Sequence, residues 1–530
     1  MRSIRAVGAS VLFATLLAGD GLDPAKLLQQ PVDTWPTYNG DYSGRRYSTL
    51  SQINAANVNT LGLAWVYRAV ATNTGFFGTT IKSTPLQVNG VLYFTIPDHV
   101  WAVDARSGRE LWHYKWESKG GIHIGNRGVA MYENWLYFET PDCHLVSLNA
   151  KNGKERWARE ICDLDQHYFA SPAPVIIHNH VLVGVGGDDL DVPGYLESRD
   201  PETGEKQWRW NTEPKPGELG SDSWPNADAM AHGGGMTWMP GTYDPELNLY
   251  YLGTGNPQPV MAAKGREGDD LFTESIVALN PETGKMAWYF QPSPHDVHDW
   301  DAVQTPVLFD GEFKGQKRKL LAQASRNGYF FLLDRTNGEH LLTAPFIETN
   351  WATGINAKGQ PIRDKSKDPA PDGALVSPSS DGAANWPPPS FSPDTGLFYV
   401  SAWHGYSVFY LTDLQDKPEG WGGVDRNAWR QNKLQAIDYK TGKIRWSHNW
   451  GDVGTNLPGL LTTAGKLLFC GDVSGNFTAM EAATGKFLWH VNLNANTTNG
   501  PMTYELDGLQ YVVVGAGDSL YAFTLPRKAK

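Results

Sequence analysis

An eleven-residue phrase ending in tryptophan recurs along this chain, and the recurrence limits the fold more than any single residue does. Residues 102–112 read AVDARSGRELW, and residues 147–157, 198–208, 278–288, 436–446 and 479–489 follow the same plan. In all six copies glycine holds the seventh place and tryptophan the last. The pattern is a strand end, a tight turn whose glycine takes a positive φ, and a returning strand. The unit is a β-hairpin, and a repeated unit of this kind fixes the architecture.

Residues 61–65, LGLAW, carry the tail of the phrase without its head. Near the other end, residues 507–514 and 519–523 supply strands whose closing hairpin is missing. The two incomplete pieces make one repeat, the way a circular array closes so that no sheet edge stays open. Trp65 and the six full phrases give seven hairpins, and Asp334-Arg335-Thr336-Asn337-Gly338 gives a degenerate eighth without its Trp. The expected fold is all-β, an eight-bladed β-propeller of four-stranded blades, with each closing Trp docked between neighbours.

The spacing is uneven: the stretches from Trp208 to Trp288 and from Gly338 to Trp446 are longer than one blade. Residues 358–381, rich in Asp, Pro, Lys and Ser, read as a long loop, a kind of segment that often carries function. Residues 33–54, with Trp35, Tyr38, Arg45, Arg46 and Tyr47, read as an irregular lead into the fold.

Arg2 and Arg5 precede an apolar stretch at residues 6–18 that is too short to cross a bilayer. It reads as an export signal over residues 1–19, leaving residues 20–530 as one propeller, periplasmic or secreted, without a transmembrane anchor. The net charge of -12 gives no basic footprint for nucleic acid. Cys143, Cys162 and Cys470 allow at most one disulfide and leave one thiol free. No Cys-x-x-Cys-His run is present for a covalently attached haem.

The phrase resembles the tryptophan docking motif of pyrroloquinoline quinone (PQQ) dependent alcohol dehydrogenases, and the likeness runs from about Trp35 to the end of the chain. It implies a planar quinone on the propeller axis, a Ca²⁺ ion at its reactive carbonyl and an aspartate base. Asn126-Arg127-Gly128 is similar to the segment whose Arg pairs with a PQQ carboxylate, and Gly233-Gly234-Gly235-Met236-Thr237-Trp238 to the segment whose Trp is the floor under the quinone. Gly253-Thr254-Gly255-Asn256 resembles the segment whose Asn ligates Ca²⁺. Trp300-Asp301 resembles the pair holding the base, Arg326-Asn327-Gly328 the cation beside the quinone oxygens, and Asn385-Trp386 an Asn that bonds the cofactor. Asp189 stands where the family has a glutamate ligand for the metal.

The resemblance therefore implies catalytic Asp301 and Arg326, cofactor contacts from Arg127, Trp238, Arg326 and Asn385, and metal ligands Asp189, Asn256 and Asp301. It implies hydride transfer from an alcohol or sugar hydroxyl to the quinone, with electrons leaving to a separate acceptor such as a cytochrome c. Residue chemistry is consistent with this: no side chain accepts hydride, so such an oxidation needs a cofactor. Amide and carboxylate oxygens are the donors that Ca²⁺ prefers. Val303 stands where lanthanide-using relatives carry an extra Asp, which favours Ca²⁺.

Several positions depart from the pattern. Gly121-Ile122 occupies the place of the vicinal cysteine pair above the quinone, Lys82 that of a PQQ-binding Glu, and Met236 that of a hydroxyl residue. Leu457 stands near a common aromatic or polar contact. These departures keep a second reading open, a cofactor-free propeller acting as a binding or assembly module in the cell envelope. Lys82 reads either as a surface lysine or as a cation for a PQQ carboxylate. His295 and His298 lie in one loop segment with no distal partner, a poor pattern for a transition metal.

Overall fold

A computed structural model describes residues 21–71, 79–187, 191–451 and 457–527. Among these, strands form eight sheets around one axis, joined by a separate ribbon of Ala352–Ile355 and Pro361–Arg363. The first blade is typical: Leu86–Val88, Val91–Ile96, His99–Asp104 and Glu110–Lys115 pair in that order, each antiparallel to the next. Its first three strands are almost wholly buried and its fourth is largely exposed. The first strand thus lines the axis and the fourth forms the rim.

The last blade is split as the sequence requires. Met502–Leu506, Leu509–Ala516 and Ser519–Thr524 come from the C-terminal end, and Gly62–Arg68 from the N-terminal side completes the sheet antiparallel to Ser519–Thr524. Closure removes the unpaired edges that would otherwise template aggregation.

The repeated phrase is explained by its contacts. Trp112 lies opposite Ala102, Trp157 opposite Ser147, Trp208 opposite Ser198, and Trp288, Trp446 and Trp489 opposite Ala278, Ala436 and Ala479. A small residue at the first place makes room for the indole at the eleventh. The split blade keeps the rule, with Trp65 opposite Ala522. All of these indoles but Trp489, which packs on Phe523, then lie on the turn glycine of the following blade. A Cβ on Gly153 would come within 2.6 Å of Trp112, and one on Gly284 within 2.5 Å of Trp208. These glycines also have φ of +69° and +68°, so both the turn and the docking demand glycine. The indole N–H closes the contact: Trp112 Nε1 donates to Ala150 O at 3.0 Å and Trp208 Nε1 to Pro281 O at 2.8 Å. In the degenerate hairpin Leu342 takes the Trp place, opposite Leu332.

Residues 33–48 are more than a lead-in. Trp35 N donates to Gln87 O, Tyr243 N to Tyr42 O, Leu308 N to Ser43 O, Phe391 N to Arg45 O and Thr462 N to Arg46 O. The segment so touches blades one, four, five, six and seven in turn, and Tyr47–Ser48 ends it as a parallel strand on Leu460–Thr463. Arg46 is fully buried and donates to Tyr38 O at 2.7 Å, Leu460 O at 3.0 Å and Pro501 O at 2.6 Å. Backbone carbonyls that face the axis thus receive the donors they lack in the sheets.

The long loop expected at residues 358–381 is corrected in part. It contains Pro361–Arg363, a 3₁₀ turn at Lys365–Lys367, and Ala374–Val376, which pairs with Leu397–Leu411 as an added strand of blade six. The surplus between Trp208 and Trp288 holds a short helix, Ala227–His232. Cys143 and Cys162 form a disulfide and Cys470 is a buried free thiol. The expected export signal lies outside the described residues. No helix among them is long and apolar enough to cross a membrane.

Candidate functional site

Ala173, Trp238, Val303 and Trp386 lie just before the first strands of successive blades, Tyr38 lies in the lead segment, and Asn256 and Arg326 follow second strands. Tyr38, Ala173, Met239 and Val303 form a buried cluster with Trp238 and Trp386 packed against it. The Arg127 guanidinium faces both indoles, 4.8 Å from the Trp238 ring centre and 5.6 Å from that of Trp386. Arg127 is held there by its neighbours: Nη1 donates to Ser171 Oγ at 2.6 Å, and Asn126 is fixed by Thr95, Gly128 and the Glu139 carbonyl. A buried guanidinium over aromatic faces is an arrangement suited to a flat anion.

Asp301 is the meeting point of the other candidates. Its Oδ1 accepts from Asn256 N at 2.7 Å, and its Oδ2 from Trp238 Nε1 at 3.1 Å and from Arg326 Nη1. Gly255 permits the first bond, since a Cβ there would lie 2.9 Å from Asp301 Oδ1. Arg326 also pairs with Asp299 at 3.1 Å and donates to Ser380 O at 2.8 Å. Burial is the largest influence on the Asp301 carboxyl and moves its pKa up from 3.8, against the pull of Arg326 and of the Asn256 N–H. Burial alone would lower the Arg326 value, but the carboxylates of Asp299 and Asp301 keep it above the usual arginine range. Arg326 therefore remains a cation.

Asn256 is buried and its Nδ2 donates to Pro257 O at 3.1 Å, which fixes the amide orientation and leaves the carbonyl oxygen as its hard donor. Asp189 lies outside the described residues. Among those described, no group of three or more His, Cys, Asp or Glu side chains is arranged to hold a metal. Asn256 and Asp301 are nevertheless oxygen donors of the kind a hard cation takes, and the nearby Glu274 adds a further carboxyl group. Glu274 is fully buried, and neither of its carboxyl oxygens has a hydrogen-bond partner among the described residues. Burial, then Asp296 and Asp301, push its pKa well above 4.5. The donor set fits a calcium-type ion, and the Arg127, Trp238 and Trp386 group fits an anionic quinone.

Other expectations change. Asn385 is half-buried and makes local bonds, donating to Asp381 O at 2.8 Å and accepting from Trp386 N at 2.8 Å. Its neighbour Trp386 packs against the axial cluster. Asp299, two residues before Asp301, shares Arg326 with it. The glycines before Trp238 approach protein rather than open space: a Cβ on Gly234 would lie 2.4 Å from Asn256 O, and one on Gly235 2.8 Å from Thr212 Oγ1. Met236 is buried with its methyl 3.1 Å from where a Gly187 Cβ would stand, so it fills space. Leu457 is buried. His298 stacks on Trp300 with ring centres 4.2 Å apart, and His295 Nδ1 lies 2.5 Å from Gly268 O, so both have structural partners. Lys82 is not a surface lysine. It is mostly covered, and its Nζ donates to Ile124 O at 2.5 Å.

The closed propeller thus brings an arginine, two tryptophans and a carboxylate–guanidinium pair together on its axis. Residues 35–371 and 424–512 match the PQQ family of glucose, ethanol and alcohol dehydrogenase β-propeller domains. The chain is 36% identical to a quinohemoprotein alcohol dehydrogenase of Comamonas testosteroni, over 91% of this chain and 72% of that one. It is 35% identical to the quinoprotein alcohol dehydrogenase PedH of Pseudomonas putida, over 96% and 91%. The structure of the quinohemoprotein alcohol dehydrogenase ADHIIG from Pseudomonas putida HK5 superposes with a TM-score of 0.88 at 30% identity, covering 96% of this chain and 83% of that one. The chain belongs to the family of PQQ-dependent quinoprotein alcohol dehydrogenases. It is an oxidoreductase of that family, and the reading as a cofactor-free scaffold is set aside.

Proposed function

We propose that the protein is an exported enzyme that oxidises an alcohol or sugar hydroxyl, with Asp301 as the base. The observation that carries this is the Asp301 carboxylate, buried and bonded at once to Asn256 N, Trp238 Nε1 and Arg326. Three donors from separate parts of the chain fix its plane, so a hydroxyl entering the site meets a base already oriented. Arg326 sets a positive charge beside that base, where negative charge builds as the proton leaves. Arg127 would hold a cofactor carboxylate, Trp238 would pack against its ring and Asn385 would offer it a polar contact.

When bound, PQQ supplies the two-electron acceptor that the side chains lack, and Ca²⁺ supplies Lewis acidity at its carbonyl. Asn256, Asp301 and Asp189 would be the ligands for that ion, and Val303 favours Ca²⁺ over a lanthanide. Electrons pass to a separate acceptor such as a cytochrome c. Residues 1–19 form the signal, and the rest is one propeller that works in the periplasm or outside the cell.

The test is Asp301→Asn, assayed by alcohol-dependent dye reduction after loading with PQQ and Ca²⁺. Loss of a general base lowers turnover on the order of 10²- to 10⁴-fold. PQQ binding is expected to persist. Full activity in this variant removes Asp301 from the role.

A further inference from the structure

Three stretches of chain lie side by side next to Trp238, and Gln258 reaches across them. Gly235 N donates to Asn256 O at 2.8 Å and Gln258 N to Gly233 O at 2.9 Å, so residues 256–258 run along the glycines that precede Trp238. On the other flank of those glycines, Gly194 N donates to Gly234 O at 2.6 Å and Gly234 N to Val192 O at 3.3 Å. The glycines act as spacers: a Cβ on Gly234 would lie 2.4 Å from Asn256 O, and one on Gly194 would lie 2.3 Å from Gly235 O. Across this thin layer the Gln258 side chain meets the segment from Gly187 to Val192.

Gln258 is buried, and its Nε2 donates to Gly187 O at 3.2 Å while its Oε1 accepts from Val192 N at 3.1 Å. One planar amide thus holds both ends of that span, and a span closed at its ends has less conformational freedom to lose when a ligand binds to it. A second tie comes from the loop between Leu397–Leu411 and Gly423–Asp438. There Gly420 O accepts from Val260 N at 2.9 Å and Gly420 N donates to Asp191 Oδ2 at 2.9 Å, which joins the same two segments again. Both segments lead to the cation donors. Asn256, two residues before Gln258, gives its N–H to Asp301 Oδ1 at 2.7 Å, and Asp189 falls within the bracketed span of the sequence.

We infer that Gln258 is a positioning residue for the cation site, its amide setting the span from Gly187 to Val192 against the segment that carries Asn256. This rests on the reading of Asn256, Asp301 and Asp189 as the metal ligands. The amide is bonded to backbone through both its oxygen and its nitrogen, so it acts on the ion through the segments it joins. A hard cation binds well only where its oxygens stand at the right distances together. Groups that orient metal ligands without touching the metal are worth on the order of 10- to 100-fold in metal affinity.

The experiment is calorimetric titration of Ca²⁺ into the full-length protein with PQQ present, for wild type, Gln258→Met and Gln510→Met. Methionine keeps the length and bulk of glutamine and loses both hydrogen bonds. Gln510 is the control, a fully buried glutamine of the last blade that also ties two segments, accepting from Ile53 N at 2.8 Å and donating to Thr503 Oγ1 at 3.1 Å. Gln258→Met is expected to weaken Ca²⁺ binding by about 10-fold or more, and Gln510→Met to stay within about 2-fold of wild type. Equal Ca²⁺ affinity in Gln258→Met and wild type overturns the inference. So does an equal loss in both variants, since that marks Gln258 as a general support of the fold. Should Gln258→Met not fold, Gln258→Asn, whose shorter amide cannot span both partners, is titrated under the same expectations. Failure of wild type to bind Ca²⁺ overturns the ligand assignment itself, a result distinct from the other two.

Discussion

At the rim, Trp112, Trp157 and Trp208 each do the same thing, resting on the turn glycine of the next blade and donating an indole N–H into its backbone. At the hub, Arg127, Trp238, Asp301 and Arg326 occur once each and do different things. The rim is a chain of equivalent nearest-neighbour contacts, so its residues act on the stability of the whole ring. The hub is a set of singular contacts, so its residues act on what the ring can bind and do. The degenerate hairpin shows the difference: Leu342 stands in for a tryptophan at the rim and the sheet still forms. No second copy of Arg326 exists to stand in for it at the hub.

Substitutions can break or sharpen this contrast. The largest stability effect is expected from Trp288→Ala, because Trp288 is buried and a Cβ on Gly338 would lie 2.7 Å from it. A loss of about 3–5 kcal/mol in urea unfolding is expected, with PQQ affinity of the folded protein unchanged. A large change in affinity would tie rim to hub and break the contrast.

Next comes removal of the disulfide by Cys143→Ser with Cys162→Ser. The two residues are 19 apart in sequence, and a loop of that size is worth about 3 kcal/mol of stability. The bond flanks Asp142, which accepts from Lys119 N at 2.9 Å and Trp116 Nε1 at 2.8 Å, so the loss should appear in denaturant melts together with faster amide exchange in residues 116–124. Exchange that stays as slow as in the wild type would show that the bond acts on the rim alone.

The smallest effect concerns His123, whose Nε2 lies 2.6 Å from Asp98 Oδ2. That bond is the main cause of an imidazole pKa raised above 6.5. A raised value means that the folded state binds the proton more tightly. The pair's contribution is therefore complete below pH 6.5 and is lost as pH rises through the raised value. About 1 kcal/mol or less is expected, since the histidine keeps some contact with solvent. Asp98→Asn should flatten this part of the Tm-against-pH curve, and an unchanged curve would remove the pair from the account.

The same contrast explains what could be read from the chain in advance. The rim was legible because its physics repeats: a glycine for the turn, a tryptophan four residues later and a small residue opposite it leave a visible period. Even the split blade could be inferred, from Trp65 without a head and residues 519–523 without a tail. The hub has no period. Trp238, Asn256, Asp301 and Arg326 could be picked out only through their likeness to a known motif, and Asp299, Glu274 and Trp386 were passed over. Arg46 shows why: its partners Leu460 and Pro501 are 414 and 455 residues away. A contact made only by ring closure leaves no local pattern, so residues 33–48 read as polar and irregular when they bind the bases of five blades.

The central claim is that this hub holds a quinone. It is tested most directly by adding PQQ to the purified protein with Ca²⁺, then following binding and alcohol-dependent dye reduction. Saturable one-to-one binding with dye reduction that requires both PQQ and an alcohol or sugar is the predicted result. Absence of saturable PQQ binding under every metal condition tried would contradict it.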